Sequence, residues 1–256
     1  MFPGIIAHRP VRPGADPLPS DLPAMDNIQF WFAADHLIYS DEAATTAAKN
    51  GDPVAVWGNN GANAQNATQP VLESRPIFRT GGAGGRPYLE LPEGEGRFFQ
   101  DLAMDYPSGV SNFGGWQAVA AVVDCPVSGG RSFLMGAPYS SYTKADLYIE
   151  PSNQTVRWGK GEWAQGGIDN TKPDHFLLSH NAACDNRSSV NATTYTRINN
   201  CTNAGSSGGA STSFLRKPGV GFFTGRIYEM IVWRYTFFGG GEHATIANYF
   251  KNKYGL

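Results

Sequence analysis

The chain has 256 residues, enough to bury roughly 70–75% of its unfolded surface around one core without staples. Hydrophobic residues make up 41% and charged residues only 16%, a balance filled out with turn formers and suited to short strands joined by many loops. The formal charge of −2 gives no reason to expect nucleic acid as a partner, and no apolar run is long enough to span a bilayer.

Residues 1–26 differ in character from the rest of the chain. They hold six of the seventeen prolines, which exclude helix and central strand and leave an extended arm. The arm is polarised: Phe2, Ile5 and Ile6 make an apolar tip, His8, Arg9 and Arg12 come next, and Asp16, Asp21 and Asp26 lie in its second half. Phe2, Ile5, Ile6, Leu18 and Leu22 would each return about 1.5–3 kcal/mol if buried in a partner. With Arg9 and Arg12 they form the expected partner-binding set. The N-terminus shows no basic leader followed by an apolar stretch, so a protein made and kept in a cytoplasm is expected.

From residue 27 onward short strands alternate with turn signals. The pattern predicts strands near 28–33, 53–57, 86–91, 97–102, 116–123, 131–136, 145–149, 154–158, 174–179, 193–198 and 225–233. Residues 43–48 are expected to form one helical turn. Trp116 to Val123 is nearly continuously apolar, as for a central strand covered on both faces. In the last strand, Ile227, Ile231 and Trp233 are expected to face one way and Tyr228, Met230 and Val232 the other. After Gly239-Gly-Gly241 the spacing turns helical from Glu242 to Tyr254: Ile246, Tyr249, Phe250 and Tyr254 share one stripe, and Gly255 is the expected C-cap.

Chemistry is sparse. Cys125, Cys184 and Cys201 form no CxxC pair, so neither a disulfide framework nor a zinc site is expected, although Cys184 and Cys201 could bridge a hairpin. His175 and His180 are five apart and would face opposite ways on a strand, which disfavours one metal. No metal or cofactor is expected. Gly205-Ser-Ser207-Gly-Gly209 matches a nucleophile elbow in letters but lacks its strand and helix. Five Asn-X-Ser/Thr sequons read as a by-product of Asn- and Thr-rich loops. The best ligand surface is Trp158-Gly-Lys160-Gly-Glu162-Trp163, where two indoles on a hairpin would stack a sugar ring while Lys160 and Glu162 bond its hydroxyls. The competing reading places both tryptophans over the core. Tyr139 and Tyr142 are a weaker second candidate, and Trp31, Trp57, Trp116 and Trp233 are expected in the core.

The ending GRIYEMIVWRYTFFGGGEHATIANYFKNKYGL, together with FWFAADHL at 30–37, GDPVAVWGNNGANAQNATQP at 51–70 and RPIFRTGGAGGRPYLEL at 75–91, resembles concanavalin A-like lectin/glucanase (laminin-G-like) jelly rolls common in bacteriophage structural proteins. The resemblance runs over roughly 28–256. It implies an all-β fold, a two-layer antiparallel sandwich over 27–256 with a short C-terminal helix, preceded by the extended arm 1–26. The family's glucanases carry a Glu-x-Asp-x-x-Glu strand, which sets two carboxylates in one cleft. No glutamate here has an aspartate two residues later, and Glu93-Gly-Glu95 sits among turn residues, so activity of that type is not expected.

The favoured reading is a non-enzymatic virion protein, a capsid decoration (cement) protein assembled in the host cytoplasm and bound by its arm to other virion proteins, the major capsid protein first. A homo-oligomer is open; no membrane partner is expected. The alternatives are a glycan-binding module of a head or tail fibre and a divergent glycosidase.

Overall fold

The computed structural model describes residues 22–63, 65–103, 117–125, 131–136, 147–150, 154–158, 163–169, 171–180, 186–198, 211–234 and 236–256. Along the chain run β1 (Ile28–Ala33), β2 (Ile38–Tyr39), β3 (Val56–Trp57), β4 (Ala67–Thr68), β5 (Ile77–Arg79), β6 (Tyr88–Leu91), β7 (Phe99–Ala103), β8 (Gln117–Asp124), β9 (Ser132–Gly136) and β10 (Leu147–Glu150). Next come β11 (Thr155–Trp158), β12 (Trp163–Gly166), β13 (Asp174–His180), β14 (Asn186–Val190), β15 (Thr196–Ile198), β16 (Ser211–Phe214), β17 (Arg216–Lys217), β18 (Gly221–Phe222), β19 (Gly225–Arg234) and α1 (Gly240–Tyr254). The result is the expected all-β, two-layer antiparallel jelly-roll sandwich with one C-terminal helix.

One layer has the order β15-β14-β13-β8-β19-β6-β5, with β1 also paired to β19; the other has the order β12-β11-β10-β9-β16-β7. At the centre of the first layer, β19 runs beside β8 along one side and divides its other side between β6 at Gly225–Ile227 and β1 at Glu229–Trp233. Both faces of this pair are covered, which is why β8 reads Ala-Val-Ala-Ala-Val-Val with no polar alternation.

The phase expected for β19 is corrected by a bulge. The register with β8 jumps between Ile227 and Glu229, leaving Tyr228 as the extra residue. Ile227 therefore joins Met230 and Val232 in the core between the layers, while Tyr228 joins Ile231 and Trp233 under the helix. A strict period of two cannot survive one inserted residue.

Two apolar clusters result. Phe30, Phe32, Trp57, Phe99 and Phe214 anchor the one between the layers, with Phe32 5.2 Å from the Trp57 ring and 5.4 Å from that of Phe214. Trp31, Trp233, Phe238, Ile246, Phe250 and Tyr254 anchor the one beneath α1. Trp31, Trp57 and Trp233 are thus core residues as expected, and Trp116 lies outside the described residues. The helix starts where the Gly239 N–H donates to Glu242 Oε2 at 3.0 Å and ends at Gly255, in the left-handed conformation at φ 67°.

Two further expectations change. Residues 43–48 form no helical turn; Asp41 accepts the Thr45 and Thr46 amides and the Thr45 hydroxyl (2.7 Å), which fixes an irregular loop with Ala44 at φ 55°. Leu22, read as part of the partner-binding arm, is buried at 4% exposure in the cluster under α1. The carbonyl beside it, Pro23 O, accepts the Trp233 Nε1–H at 3.0 Å. These contacts tie residues 22 and 23 to the sandwich. Phe2, Ile5, Ile6, Arg9, Arg12 and Leu18 lie outside the described residues.

The loop after β3 is fixed by one buried side chain. Asn59 accepts the amides of Trp31 and Gly61, both at 2.8 Å, and donates to the carbonyls of Gln29 (3.2 Å) and Asn63 (2.5 Å). A side chain at position 61 would place its Cβ 2.7 Å from Gln29 O, so only glycine lets the loop lie against β1.

Candidate functional site

Three polar groupings on the two layers are candidates for chemistry. The first lies beneath α1. Glu229, fully buried, accepts at Oε1 from Trp31 Nε1 (2.5 Å) and the Tyr249 hydroxyl (2.8 Å), and at Oε2 from the Tyr254 hydroxyl (2.7 Å) and Lys253 Nζ (3.0 Å). Lys253 Nζ also stands 3.2 Å from each Asp35 oxygen, and Arg86 lies 3.7 Å from Asp35. Burial, reinforced by Glu229, pushes both tyrosine phenols far above their ordinary range, so they remain donors. This closed network clasps the helix to the strand.

The second grouping surrounds β13. Asp174 accepts the Asp169 amide at 2.9 and 3.0 Å and a bond from Asn191 Nδ2, and burial pushes its carboxyl up to about 6. Cys125 donates to Ser132 Oγ at 3.3 Å, and burial pushes its thiol up to about 11, which makes it a poor nucleophile. His175 is 4% exposed with neither ring nitrogen bonded; His243 is fully buried, with Nδ1 3.1 Å from Ser189 Oγ and Nε2 unpartnered. Burial holds both imidazoles down to about 4, helped by Lys251 near His175 and by Arg187 near His243. They are neutral packing groups.

The third lies on the six-stranded layer and is only partly reached by solvent: the Glu150 side chain is 16% exposed and Tyr148 is buried. In β10 and β11, Leu147, Ile149 and Val156 enter the core, so alternation turns Tyr148, Glu150, Thr155 and Arg157 to the outer face of the six-stranded layer. There Arg157 Nε meets Glu150 Oε2 at 2.7 Å and Arg131 Nε meets Oε1 at 3.3 Å. The Arg131 guanidinium also lies 5.3 Å from the Tyr148 ring centroid, and that ring stands 5.3 Å from the Phe133 ring. A carboxylate between two guanidiniums beside aromatic rings offers both acceptors and fixed donors on a ladder of strands.

The strands of the hairpin singled out from sequence, β11 and β12, pair at the edge of this layer. Trp158 directly opposes Trp163 in the β11–β12 ladder, and Trp158 also opposes Leu147 of β10. Their side chains, with Lys160, Glu162, Tyr139, Tyr142, Cys184, Cys201 and residues 205–209, lie outside the described residues. Glu93 and Glu95 occupy an exposed turn, and Glu95 is paired with Arg97 at 2.5 Å. The residues missed are Arg131, Tyr148, Glu150 and Arg157; the alternations Leu-Tyr-Ile-Glu and Thr-Val-Arg carried the signal.

No protein-family model and no curated protein matches the chain. Solved structures do. Domain 4 of an extracellular arabinanase of glycoside hydrolase family 43 from Geobacillus stearothermophilus, in complex with arabinotriose, is similar at 13% identity and a TM-score of 0.52 over 86% of this chain and 98% of that one. A Trypanosoma rangeli sialidase is similar at 14% identity and a TM-score of 0.50 over 93% of this chain and 35% of that one. The chain thus spans about a third of the sialidase's length. At such identities the likeness establishes the fold.

The expectation of a non-enzymatic protein is corrected by these likenesses. Chains that share the sandwich include a sialidase and part of an arabinanase, so a missing Glu-x-Asp-x-x-Glu strand excludes only one arrangement of carboxylates.

Proposed function

We propose that the chain is a lectin-like, carbohydrate-binding sandwich carried on a bacteriophage particle, where it decorates the capsid. The arm would hold it to other virion proteins, the major capsid protein among them, after assembly in the host cytoplasm. The observation that carries the glycan reading is the fold likeness to a domain solved with arabinotriose, which extends over 98% of that domain. The outer face around Glu150 supports it. Vicinal hydroxyls can donate to the carboxylate while accepting from Arg131 or Arg157, a pairing that suits a neutral or weakly charged sugar. The bacteriophage context rests on the resemblance of the opening strands and the closing strand and helix.

Two measurements test the reading. Calorimetric titration with arabino-oligosaccharides and host-surface glycans should give saturable binding that Arg157→Ala weakens; product analysis of the same mixtures reads any hydrolysis directly. Immunogold labelling of intact particles should decorate the whole capsid surface. Titrations without saturation remove the glycan reading, and label confined to a tail tip removes the capsid one.

A further inference from the structure

The clasp beneath α1 gathers two carboxylates around one ammonium. Lys253 Nζ stands 3.0 Å from Glu229 Oε2 and 3.2 Å from each oxygen of Asp35. Equal distances to both oxygens put Nζ on the plane that bisects the Asp35 carboxyl, the plane from which an amine approaches Cγ. The site is nearly dry: Glu229 is fully buried, and the Lys253 and Asp35 side chains are only 12% and 18% exposed. The Tyr249 and Tyr254 rings wall it, with centroids 5.7 and 5.3 Å from Nζ. The Trp31 indole and the two phenols fix the Glu229 carboxylate by hydrogen bonds. Arg86 steadies the other two groups, since its Nε donates to Lys253 O at 3.3 Å and its guanidinium lies 3.7 Å from Asp35 Oδ2.

We propose that Lys253 and Asp35 condense to an intramolecular amide, an isopeptide bond that closes residues 35–253 into a covalent ring, with Glu229 carrying protons. One Nζ proton passes to an Asp35 oxygen, which leaves a neutral amine beside a neutral acid. The Nζ lone pair then forms the N–Cγ bond, and the electron pair of the Cγ carbonyl moves onto its oxygen, where the Arg86 guanidinium stabilises the charge. Glu229 Oε2 takes a second proton from the nitrogen and returns it to the hydroxyl, which departs as water while the carbonyl re-forms. Glu229 ends as it began, a carboxylate, and accepts from the new amide N–H where it had accepted from the ammonium. An ammonium and a carboxylate are consumed, an amide and one water are formed, and the step draws on no further reactant.

Two physical effects favour condensation here. A pair held at reacting distance behaves as though its partners were at about 10⁵–10⁸ M, which offsets the competition of water for the acid. Burial of separated charges is costly, and the amide replaces an ion pair in a dry pocket with a neutral group while releasing water to solvent. Lys172 and Asp169, paired at 3.3 Å with their side chains in solvent, lack both the enclosure and the fixed approach. The bond would join the turn after β1 to the last turn of α1, 218 residues apart, and so lock the helix over the core that it covers. The inference is independent of the glycan and particle readings, because it concerns only how the chain closes on itself.

Mass measurement of the full chain, denatured after purification, should read one water less than the sequence requires. Fragmentation of its tryptic peptides should find Lys253 and Asp35 in one branched peptide. Lys253→Arg keeps the positive charge but cannot form the bond, and should show the full sequence mass. Glu229→Gln keeps the shape of the carrier without its basicity, and should slow loss of water by about a hundredfold or more, as followed by mass after synthesis. Melting curves establish that each variant is folded, and the wild-type mass and branch point stand whatever the variants do. A wild-type chain at full mass overturns the inference. So does a water loss that persists in Lys253→Arg, or a branch that joins Lys253 to Glu229. An unchanged rate in a folded Glu229→Gln removes Glu229 from the reaction.

Discussion

Two polar networks in this molecule use the same ingredients and end differently. Beneath α1, Glu229 is enclosed by four donors and has no exposed surface; on the other layer, Glu150 also sits among cations, yet Arg131 remains 39% and Arg157 23% exposed. A fully enclosed carboxylate is committed to the bonds it already makes, because breaking any of them strands a buried charge. Glu150, 16% exposed between two partly exposed guanidiniums, keeps some contact with water that the hydroxyls of a ligand can replace. Enclosure therefore separates the structural clasp from the candidate site.

The largest expected effect comes from opening the clasp. Glu229→Ala leaves Lys253, the Trp31 indole N–H and two phenols without their buried acceptor, and should cost about 3–5 kcal/mol in urea unfolding. Glu229→Gln, which keeps an acceptor oxygen but adds donors facing Trp31 or Lys253, should recover only part of that. A loss below about 1 kcal/mol in Glu229→Ala would show that the network is dispensable and that apolar packing alone holds α1.

Nearly as large is the effect of Trp158→Ala. If the tryptophan covers the core, as the competing sequence reading has it, truncation should cost about 3 kcal/mol or more of stability. An unchanged melting temperature with lost glycan binding would assign Trp158 to the ligand platform instead.

Acid should act on the clasp side of the molecule. His175 and His243 titrate near 4 when folded against 6.5 when unfolded, so the unfolded chain takes up more protons between these values. Their contribution is fully present above pH 6.5 and is lost as pH falls toward 4, by up to about 3 kcal/mol for each histidine. Asp174 acts in the opposite sense: raised from 3.8 to about 6, it stabilises most below 3.8, and that contribution fades as pH rises through 6. The net expectation is a fall in melting temperature from pH 7 to 4. His243→Asn should flatten the fall and Asp174→Asn should steepen it. A profile flat in all three proteins would show that the imidazoles are not held neutral by burial.

Much of this was legible in the sequence because the controlling signals are local. The apolar run of β8, the helical stripe from Ile246 to Tyr254, the Gly255 cap and the core tryptophans Trp31, Trp57 and Trp233 each derive from residue type and spacing. The features that escaped depend on distant partners. The bulge at Tyr228 shows only in the register with β8, and Glu229 looks like an ordinary strand carboxylate until Lys253 and Tyr254 are folded onto it. The candidate site escaped for the same reason: Glu150 gains its two arginines only when β9, β10 and β11 come into register, and the side chains of Trp158 and Trp163 lie outside the described residues.

The smallest effect on stability should come from the partly exposed network, and it sharpens the comparison most. The two ion pairs that Glu150 makes with Arg131 and Arg157, one short and one long, both to partly exposed guanidiniums, are worth about 1 kcal/mol to folding. Glu150→Gln and Arg157→Ala should therefore melt within a few degrees of the wild type. Binding should respond differently, because a sugar that displaces water from this face loses a charged partner in either variant. Removing one charge-assisted bond should weaken oligosaccharide affinity by about 1.5–3 kcal/mol, roughly tenfold to a hundredfold, as read by titration calorimetry. Variants that lose several kcal/mol of stability would make Glu150 a second clasp. Variants that keep both stability and affinity would place the glycan elsewhere on the sandwich.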